Sequence, residues 1–128
     1  MNKIVLWVSD LDAQIAFYSN LLEIELVNQA QGFAELAGPF NSVFLHELPI
    51  EYRASVPLTV QLPAQVEVAI KPVFLVDDLD IARKRLNRSL VSMVEPKKRY
   101  GAATYLDVVD PEGNVIQLEE KTSASSGF

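Results

Sequence analysis

A single histidine limits the catalytic chemistry that this sequence can support. His46 is the only histidine and there is no cysteine, which excludes thiolate nucleophiles, disulfides and cysteine-ligated zinc. A serine–histidine–aspartate triad would have to use His46 with Ser9 or Ser42, and neither serine lies in a nucleophile-elbow motif. No glycine-rich dinucleotide or phosphate-binding motif is present, and no carboxylate spacing singles out an acid–base pair. These absences weaken most enzyme interpretations of the chain.

Composition and charge narrow the class of protein further. With 49% hydrophobic and 22% charged residues, the 128-residue chain is expected to fold as one domain with its own core. The net charge of -6 disfavours binding to nucleic acid and to anionic lipid. No apolar run approaches the ~20 residues that cross a bilayer, and the first ten residues lack the apolar core of a signal peptide. We therefore expect a cytoplasmic protein, which the lack of cysteine also suits, with no nucleic-acid or membrane partner.

The elements that would position His46 belong to a pattern that occurs twice. Residues 3–8 predict a buried strand, residues 11–22 a helix, and residues 23–28, 33–37 and 42–47 three further strands. The same order restarts with a strand at 70–76, a helix that begins at 77–80, and strands at 91–95, 103–108 and 114–119. A shift of 68 residues aligns Val5 with Val73 and Asp10 with Asp78. The alternative is a chance similarity between two ordinary strand–helix units.

The duplication predicts an α+β fold of two βαβββ modules that form one domain over residues 1–120. The modules span about residues 1–48 and 69–120, a proline-containing linker covers 49–68, and a polar tail at 121–128 is expected to fray. A unit of ~50 residues rarely folds alone, so the two copies are expected to bury each other's apolar surface. Two curved sheets set side by side would enclose a cleft at their junction, where ligand sites tend to form.

Two stretches of sequence resemble a known family. The first is VSDLDAQIAFYSNLLEIEL at residues 8–26, and the second is GAATYLDVVDPEGNVIQLEE at residues 101–120. Together they resemble the vicinal oxygen chelate superfamily, which includes glyoxalase I, extradiol dioxygenases, fosfomycin resistance enzymes and bleomycin resistance proteins. The resemblance covers about residues 3–120. It implies paired βαβββ modules around a cleft, often assembled as a homodimer.

The resemblance also implies where a metal would bind. Metal-dependent members of this superfamily usually carry a histidine at the start of each module's first strand and a glutamate, sometimes a glutamine or a histidine, on each last strand. Transferred to this sequence, those positions are Lys3 and Lys71 on the first strands, and His46 and Gln117 on the last strands. Two ammonium groups repel a divalent ion, and deprotonating one lysine at neutral pH costs about 4–5 kcal/mol. We therefore expect no metal cofactor; a divalent metal held through His46 and Gln117 is the alternative.

The candidate ligand-binding residues follow from the same comparison. The cleft candidates are Lys3, Trp7, His46, Lys71, Tyr105 and Gln117. Other aromatic residues near the expected cleft walls could stack on a planar ligand, with core packing as the alternative: Phe44, Phe74 and Tyr100. The charged run 97–99 is interpreted as a solvated loop that in the superfamily often borders the cleft. The acids at the helix starts are interpreted as caps.

Three functions remain open, and whether the protein is an enzyme is undecided. The first is a metal-free binder of a small molecule in the inter-module cleft, for which a cationic planar drug would suit an acidic dimer with an aromatic groove. The second is a metal-dependent lyase, isomerase or dioxygenase of the same superfamily. The third is a non-catalytic interaction module whose cleft is closed by side chains. The first ranks above the others because lysines stand at two expected metal-ligand positions.

Overall fold

The computed structural model describes residues 3–53, 69–86 and 98–121. Most of the predicted linker, the predicted strand at 91–95 and residues 122–128 of the predicted tail lie outside these ranges. The first module contains β1 (Ile4–Val8), α1 (Leu11–Leu22), β2 (Glu25–Ala30), β3 (Phe33–Ala37) and β4 (Ser42–Glu47). A single helical turn, α2 (Ile50–Arg53), follows β4. The second module contains β5 (Val73–Val76), α3 (Leu79–Leu86), β6 (Lys98–Tyr100), β7 (Ala103–Val109) and β8 (Val115–Glu120).

Helices α1 and α3 begin at acids, as the sequence predicts. The Asp10 side chain accepts a hydrogen bond from the backbone N–H of Ala13 at 3.0 Å and is the N-cap of α1. At the start of α3, Asp78 Oδ1 accepts from the backbone N–H groups of Asp80 and Ile81 at 2.8 and 3.1 Å. Each carboxylate therefore satisfies backbone donors that have no partner inside the first helical turn.

Both modules fold into a four-stranded sheet of the same topology. The strand orders are β1-β4-β3-β2 and β5-β8-β7-β6, and in each module the first strand runs parallel to the last while the other pairs are antiparallel. The predicted fold of two βαβββ modules is thereby confirmed. Chance similarity between two strand–helix units would not produce the same order and direction of four strands.

One stretch expected to be a loop is part of a sheet. Lys98 and Arg99 belong to β6 and pair with Tyr105 and Thr104 of β7, so the interpretation of the charged run 97–99 as a solvated loop is wrong for these two residues. The turn that joins β6 to β7 passes through Gly101 at a φ of 59°, which a residue without a Cβ adopts at little cost. This turn lets a short charged strand pair at the outer edge of the sheet.

The core lies between the helices and one face of each sheet, and both modules contribute to it. Buried apolar side chains from both modules form one cluster, and the large members without exposed surface include Tyr18, Leu36, Leu45, Leu79 and Leu118. Phe74 also belongs to this cluster, so this aromatic candidate is a core residue. The described ranges contain no helix that is long and apolar enough to cross a membrane. The opposite face of each sheet does not take part in this core.

Polar contacts fasten the two modules along their seam. The Tyr18 hydroxyl on α1 donates to Asp110 Oδ2, in the turn before β8, at 2.7 Å. From the same turn, the Glu112 carboxylate accepts from the backbone N–H groups of Ser9 and Asp10 at 2.7 and 3.0 Å. In the other direction, the Asn41 side chain bonds to both the N–H and the C=O of Leu75 on β5, at 3.0 and 2.7 Å.

The Tyr18–Asp110 bond predicts an alkaline loss of stability. Burial, followed by the nearby Asp110 carboxylate, raises the pKa of Tyr18 well above its usual value of 10.0. The folded state therefore favours the neutral phenol, and this contribution is complete below pH ~10 and is lost as the pH rises toward the raised pKa. We expect the free energy of unfolding to fall more steeply from about pH 9 to about pH 11 in the wild type than in Tyr18→Phe. Urea unfolding of both proteins measures this difference; parallel pH profiles would contradict it.

Candidate functional site

The open face of the first module carries a cluster of aromatic rings. We call Lys3, Trp7, Phe33, Glu35, Phe44 and His46 the aromatic face. The rings of Trp7 and Phe33 lie on either side of His46, with centroids 4.9 and 5.0 Å from the imidazole, and Phe33 is 5.6 Å from Phe44. Trp7 is exposed even though it is the largest apolar side chain of β1. Side-chain alternation along each strand brings these rings to the face opposite the core.

A lysine stands at one end of the aromatic face. The Lys3 ammonium lies 4.7 Å from the centroid of the Phe44 ring and 3.8 Å from the Glu35 carboxylate. The first contact is a cation–π interaction, and the second is a loose ion pair near solvent. The aromatic face thus has a flat apolar surface with one paired cation at its edge.

The open face of the second module is polar instead. We call Lys71, Tyr105, Asp107, Gln117 and Glu119 the polar face. Its centre is Asp107, which accepts from the Lys71 ammonium at 2.8 Å and from the Gln117 side-chain amide at 2.9 Å. A hydrogen bond to Glu119 raises the pKa of Tyr105 above its usual 10.0. Asp107 is a buried carboxylate; the Lys71 ammonium neutralises its charge at one oxygen, and the Gln117 amide donates a hydrogen bond to the other.

The strand registers relate the two faces residue by residue. Phe44 lies opposite Val5 on β1 and Glu35 on β3, while Gln117 lies opposite Val73 on β5 and Asp107 on β7. The repeat equates Val5 with Val73. The equivalent pairs across the modules are therefore Lys3 and Lys71, Glu35 and Asp107, Phe44 and Gln117, His46 and Glu119, and Phe33 and Tyr105.

This register changes one assignment made from the sequence. The residue of the first module that corresponds to Gln117 is Phe44, and His46 lies two positions further along β4. A shift of two residues keeps a side chain on the same face of a strand, so the alternation of the sequence does not distinguish the two alignments. Both residues remain on the aromatic face, and His46 contacts Trp7 and Phe33 instead of standing in the position equivalent to Gln117.

The structure divides the six sequence-predicted site residues between the two faces. Lys3, Trp7 and His46 come together on the aromatic face, and Lys71, Tyr105 and Gln117 on the polar face. The side chain of Tyr100 lies outside what the structure describes. Two carboxylates that pair with the lysines, Glu35 and Asp107, were not among the residues predicted from the sequence. A small cavity of about 170 Å³ separates the starts of β1 and β5, and Lys3 and Val73 are among its lining residues.

The residues at the expected metal-ligand positions do not fit a divalent ion. In the second module the position holds the Lys71 ammonium, which is already bound to Asp107, and Gln117 directs its amide N–H toward the same carboxylate. In the first module the positions hold Lys3 and the apolar ring of Phe44. Within residues 3–53, 69–86 and 98–121, no group of three or more His, Cys, Asp or Glu residues is arranged to hold a metal ion. A divalent cation at the positions of either module would meet an ammonium group and few oxygen or imidazole donors.

The comparisons with known proteins assign the fold to a superfamily. The chain therefore belongs to the class of proteins built from paired βαβββ modules, with one open face on each sheet. A family model for the Glyoxalase/Bleomycin resistance protein/Dioxygenase superfamily matches residues 1–118, and the chain belongs to this superfamily. No curated protein sequence matches the chain with significance.

Solved structures with the same fold are similar over nearly the whole chain. A bleomycin-binding protein in complex with bleomycin is 17% identical, with a TM-score of 0.65, and the match covers 95% of this chain and 98% of that chain. A lactoylglutathione lyase from Agrobacterium tumefaciens is 22% identical, with a TM-score of 0.63 and coverage of 100% and 96%. A fosfomycin resistance protein from Listeria monocytogenes is 15% identical, with a TM-score of 0.66 and coverage of 98% and 95%. At these identities the similarity establishes the fold alone.

Proposed function

We propose that this protein binds a small organic molecule in the cleft between its modules, on the open faces of its two sheets, and that it does so without a resident metal. The observation that carries the proposal is that the lysines at two expected metal-ligand positions are each paired with a carboxylate, Lys3 with Glu35 and Lys71 with Asp107. Because these lysines are paired with carboxylates, the two faces are suited to bind a ligand through apolar contacts and hydrogen bonds.

The aromatic face supports a flat ligand. An exposed tryptophan beside an imidazole and two phenyl rings presents a large apolar surface that water solvates poorly. A planar molecule that covers these rings would gain both apolar burial and ring stacking. The polar face supplies groups that would orient such a molecule, namely Tyr105, Gln117 and Glu119.

The overall charge favours a cationic ligand. The net charge of -6 attracts cations from solution, and the faces of the exposed rings attract a cation further at close range. Bleomycin, which is bound by a protein of the same fold at 17% identity, is therefore a reasonable first probe. The compartment that suits a cysteine-free chain is the reducing cytoplasm.

The proposal includes a homodimer. Apolar side chains are exposed on β1 and β2 of the first module: Val5, Trp7, Leu26 and Val27. Since β1 and β2 are the two edge strands of the first sheet, these side chains form two separate exposed patches, and exposed apolar surface of this kind often marks a binding surface. A second copy of the chain that packs against one of these patches would complete a cleft between subunits. If the cleft instead lies within one chain, the exposed apolar surface stays open to the ligand.

Trp7 supplies the test of binding, because it is the only tryptophan in the chain. We expect bleomycin, or a planar cation such as proflavine, to change the fluorescence of Trp7 saturably. Isothermal titration with the variant Trp7→Ala should show at least ~10-fold weaker binding, since the variant loses about 1.4 kcal/mol or more of stacking and burial. The matched control is Lys84→Gln, on the exposed side of α3, which should bind as the wild type does.

Two results would count against this function. Equal affinity of Trp7→Ala and wild type would remove the aromatic face from the site. Failure of a broad library of planar and polar compounds to stabilise the protein would favour a non-catalytic module with a closed cleft, since a ligand at a hundred times its Kd adds about 2.7 kcal/mol to the free energy of unfolding.

The metal-dependent alternative makes the opposite prediction about the metal content of the purified protein. Elemental analysis of protein purified without an affinity tag or chelator should give less than ~0.1 transition metal per chain if no built site exists. A stoichiometric metal that disappears in His46→Ala would establish the alternative and overturn the proposal.

A further inference from the structure

A larger cavity lies at the seam between the modules, apart from the two open faces. Its volume is about 340 Å³. The end of α1 and the turn before β4 form one side, and the corner between β5 and α3 forms the other. It shares no residue with the aromatic face or the polar face as defined above. Apolar side chains from both modules, among them Leu21, Ile24 and Ile81, form part of its wall.

Two cations enter the wall of this seam cavity, and both are more buried than their partners. The side chains of Lys121 and Arg85 are 17% and 27% exposed. Their partners Asp77 and Glu23 are 72% and 57% exposed. The cations therefore belong to the cavity and the carboxylates to its rim, where water competes for them. Because these carboxylates are largely in solvent, an anion from solution can compete with them for the two cations.

Both cations extend from backbone that is fixed independently of those carboxylates. The backbone N–H of Lys121 donates to the C=O of Val76 at 2.8 Å, which fixes the residue directly after β8. Its ammonium lies 3.6 Å from the centroid of the Phe40 ring and 3.0 Å from Asp77. Arg85 lies in the last turn of α3, whose buried side chains pack into the core. Fixed cations bind an oxyanion with less loss of conformational entropy than mobile ones.

We propose that the seam cavity binds an organic monocarboxylate with a short apolar body. The carboxylate of the ligand takes the places of Glu23 and Asp77 at Arg85 and Lys121, and its hydrocarbon part lies against Leu21, Ile24 and Ile81. This site is separate from the one proposed on the open faces, and its ligand has the opposite charge.

The test compares octanoate with its neutral counterpart octanamide by isothermal titration of the full chain. We expect octanoate to bind at least ~10-fold more tightly than octanamide, because only octanoate carries a negative charge that can pair with the two cations. Arg85→Gln and Lys121→Gln should each weaken octanoate by about fivefold or more. Glu23→Gln and Asp77→Asn should each strengthen it by about threefold, because each removes a competing carboxylate.

Control variants separate this site from other modes of binding. Lys84→Gln removes an exposed cation of the same helix and should change the affinity less than about twofold. Trp7→Ala, on the aromatic face, should also leave octanoate binding unchanged. The proposal is overturned if octanamide binds as tightly, if Lys84→Gln weakens binding as much as Arg85→Gln does, if Trp7→Ala abolishes it, or if no saturable binding occurs.

Discussion

Replacing Lys71 with methionine is expected to lower the free energy of unfolding by about 3–5 kcal/mol, because it leaves the buried Asp107 carboxylate without its cation. The two side chains are 19% and 2% exposed, and their charged atoms are 2.8 Å apart. Gln117 would remain as a neutral donor to the other carboxylate oxygen. For a chain of this length, such a loss lowers the Tm by roughly 10–20 °C. Thermal and urea unfolding of Lys71→Met against wild type measure it.

The duplication provides a matched control for this change. Lys3 occupies the equivalent position in the first module, but its side chain is 54% exposed and its ammonium is 3.8 Å from Glu35. Lys3→Met should therefore cost less than about 1 kcal/mol. Adding Asp107→Asn to Lys71→Met should recover most of the lost stability, since no buried charge then lacks a partner. Equal effects of Lys3→Met and Lys71→Met, or no recovery in the double variant, would show that the Lys71–Asp107 pair does not organise the polar face.

The second large effect is expected at the seam, in Asp110→Ala. The Asp110 carboxylate has no exposed surface and accepts four hydrogen bonds: from the Tyr18 hydroxyl, from the backbone N–H groups of Glu112 and Asn114, and from the Asn114 side chain. Truncation leaves the buried Tyr18 hydroxyl without an acceptor and releases the turn that carries Glu112. Since each buried donor without a partner costs about 1–3 kcal/mol, we expect a loss of at least ~3 kcal/mol.

A double-mutant cycle checks that the loss arises at the seam. Tyr18→Phe alone should cost about 1.5–3 kcal/mol, because it removes a bond to a charged group. Asp110→Ala combined with Tyr18→Phe should cost clearly less than the sum of the two single changes. Asp12→Ala, which removes an exposed acid of the first turn of α1, should cost under about 1 kcal/mol. Additive effects of Asp110→Ala and Tyr18→Phe would contradict the coupling of the modules through this bond.

The fold could be predicted from the sequence because its signals are local and occur twice. The acids that begin α1 and α3 recur 68 residues apart, and each is followed by a helix and a meander of strands. Strand β6 lacked such a signal. The residues Lys98, Arg99 and Tyr100 have no apolar alternation, and only the turn at Gly101 and the neighbouring β7 make them a strand.

The site could be predicted only in part, because its contacts depend on strand register. Lys71 and Asp107 are 36 residues apart in the chain, and no local pattern indicates that their side chains meet. The sequence placed His46, instead of Phe44, at the position equivalent to Gln117 for the same reason. Side-chain alternation shows which face of the sheet a residue lies on, but not which residue it pairs with on the next strand. The sequence predicted a cleft where the two sheets meet but not the seam cavity, because the lining of that cavity is brought together only by the packing of one module against the other.

The central claim is that the lysines at two expected metal-ligand positions are bound to carboxylates and that the open faces bind a ligand without a metal. The most direct measurement is a crystal structure of the protein soaked with Ni²⁺ or Zn²⁺ and examined by anomalous scattering. We predict that Lys71 stays bound to Asp107 and that no ion lies beside Gln117. A transition ion coordinated by Asp107 or Gln117, with the Lys71 ammonium displaced, would contradict the claim.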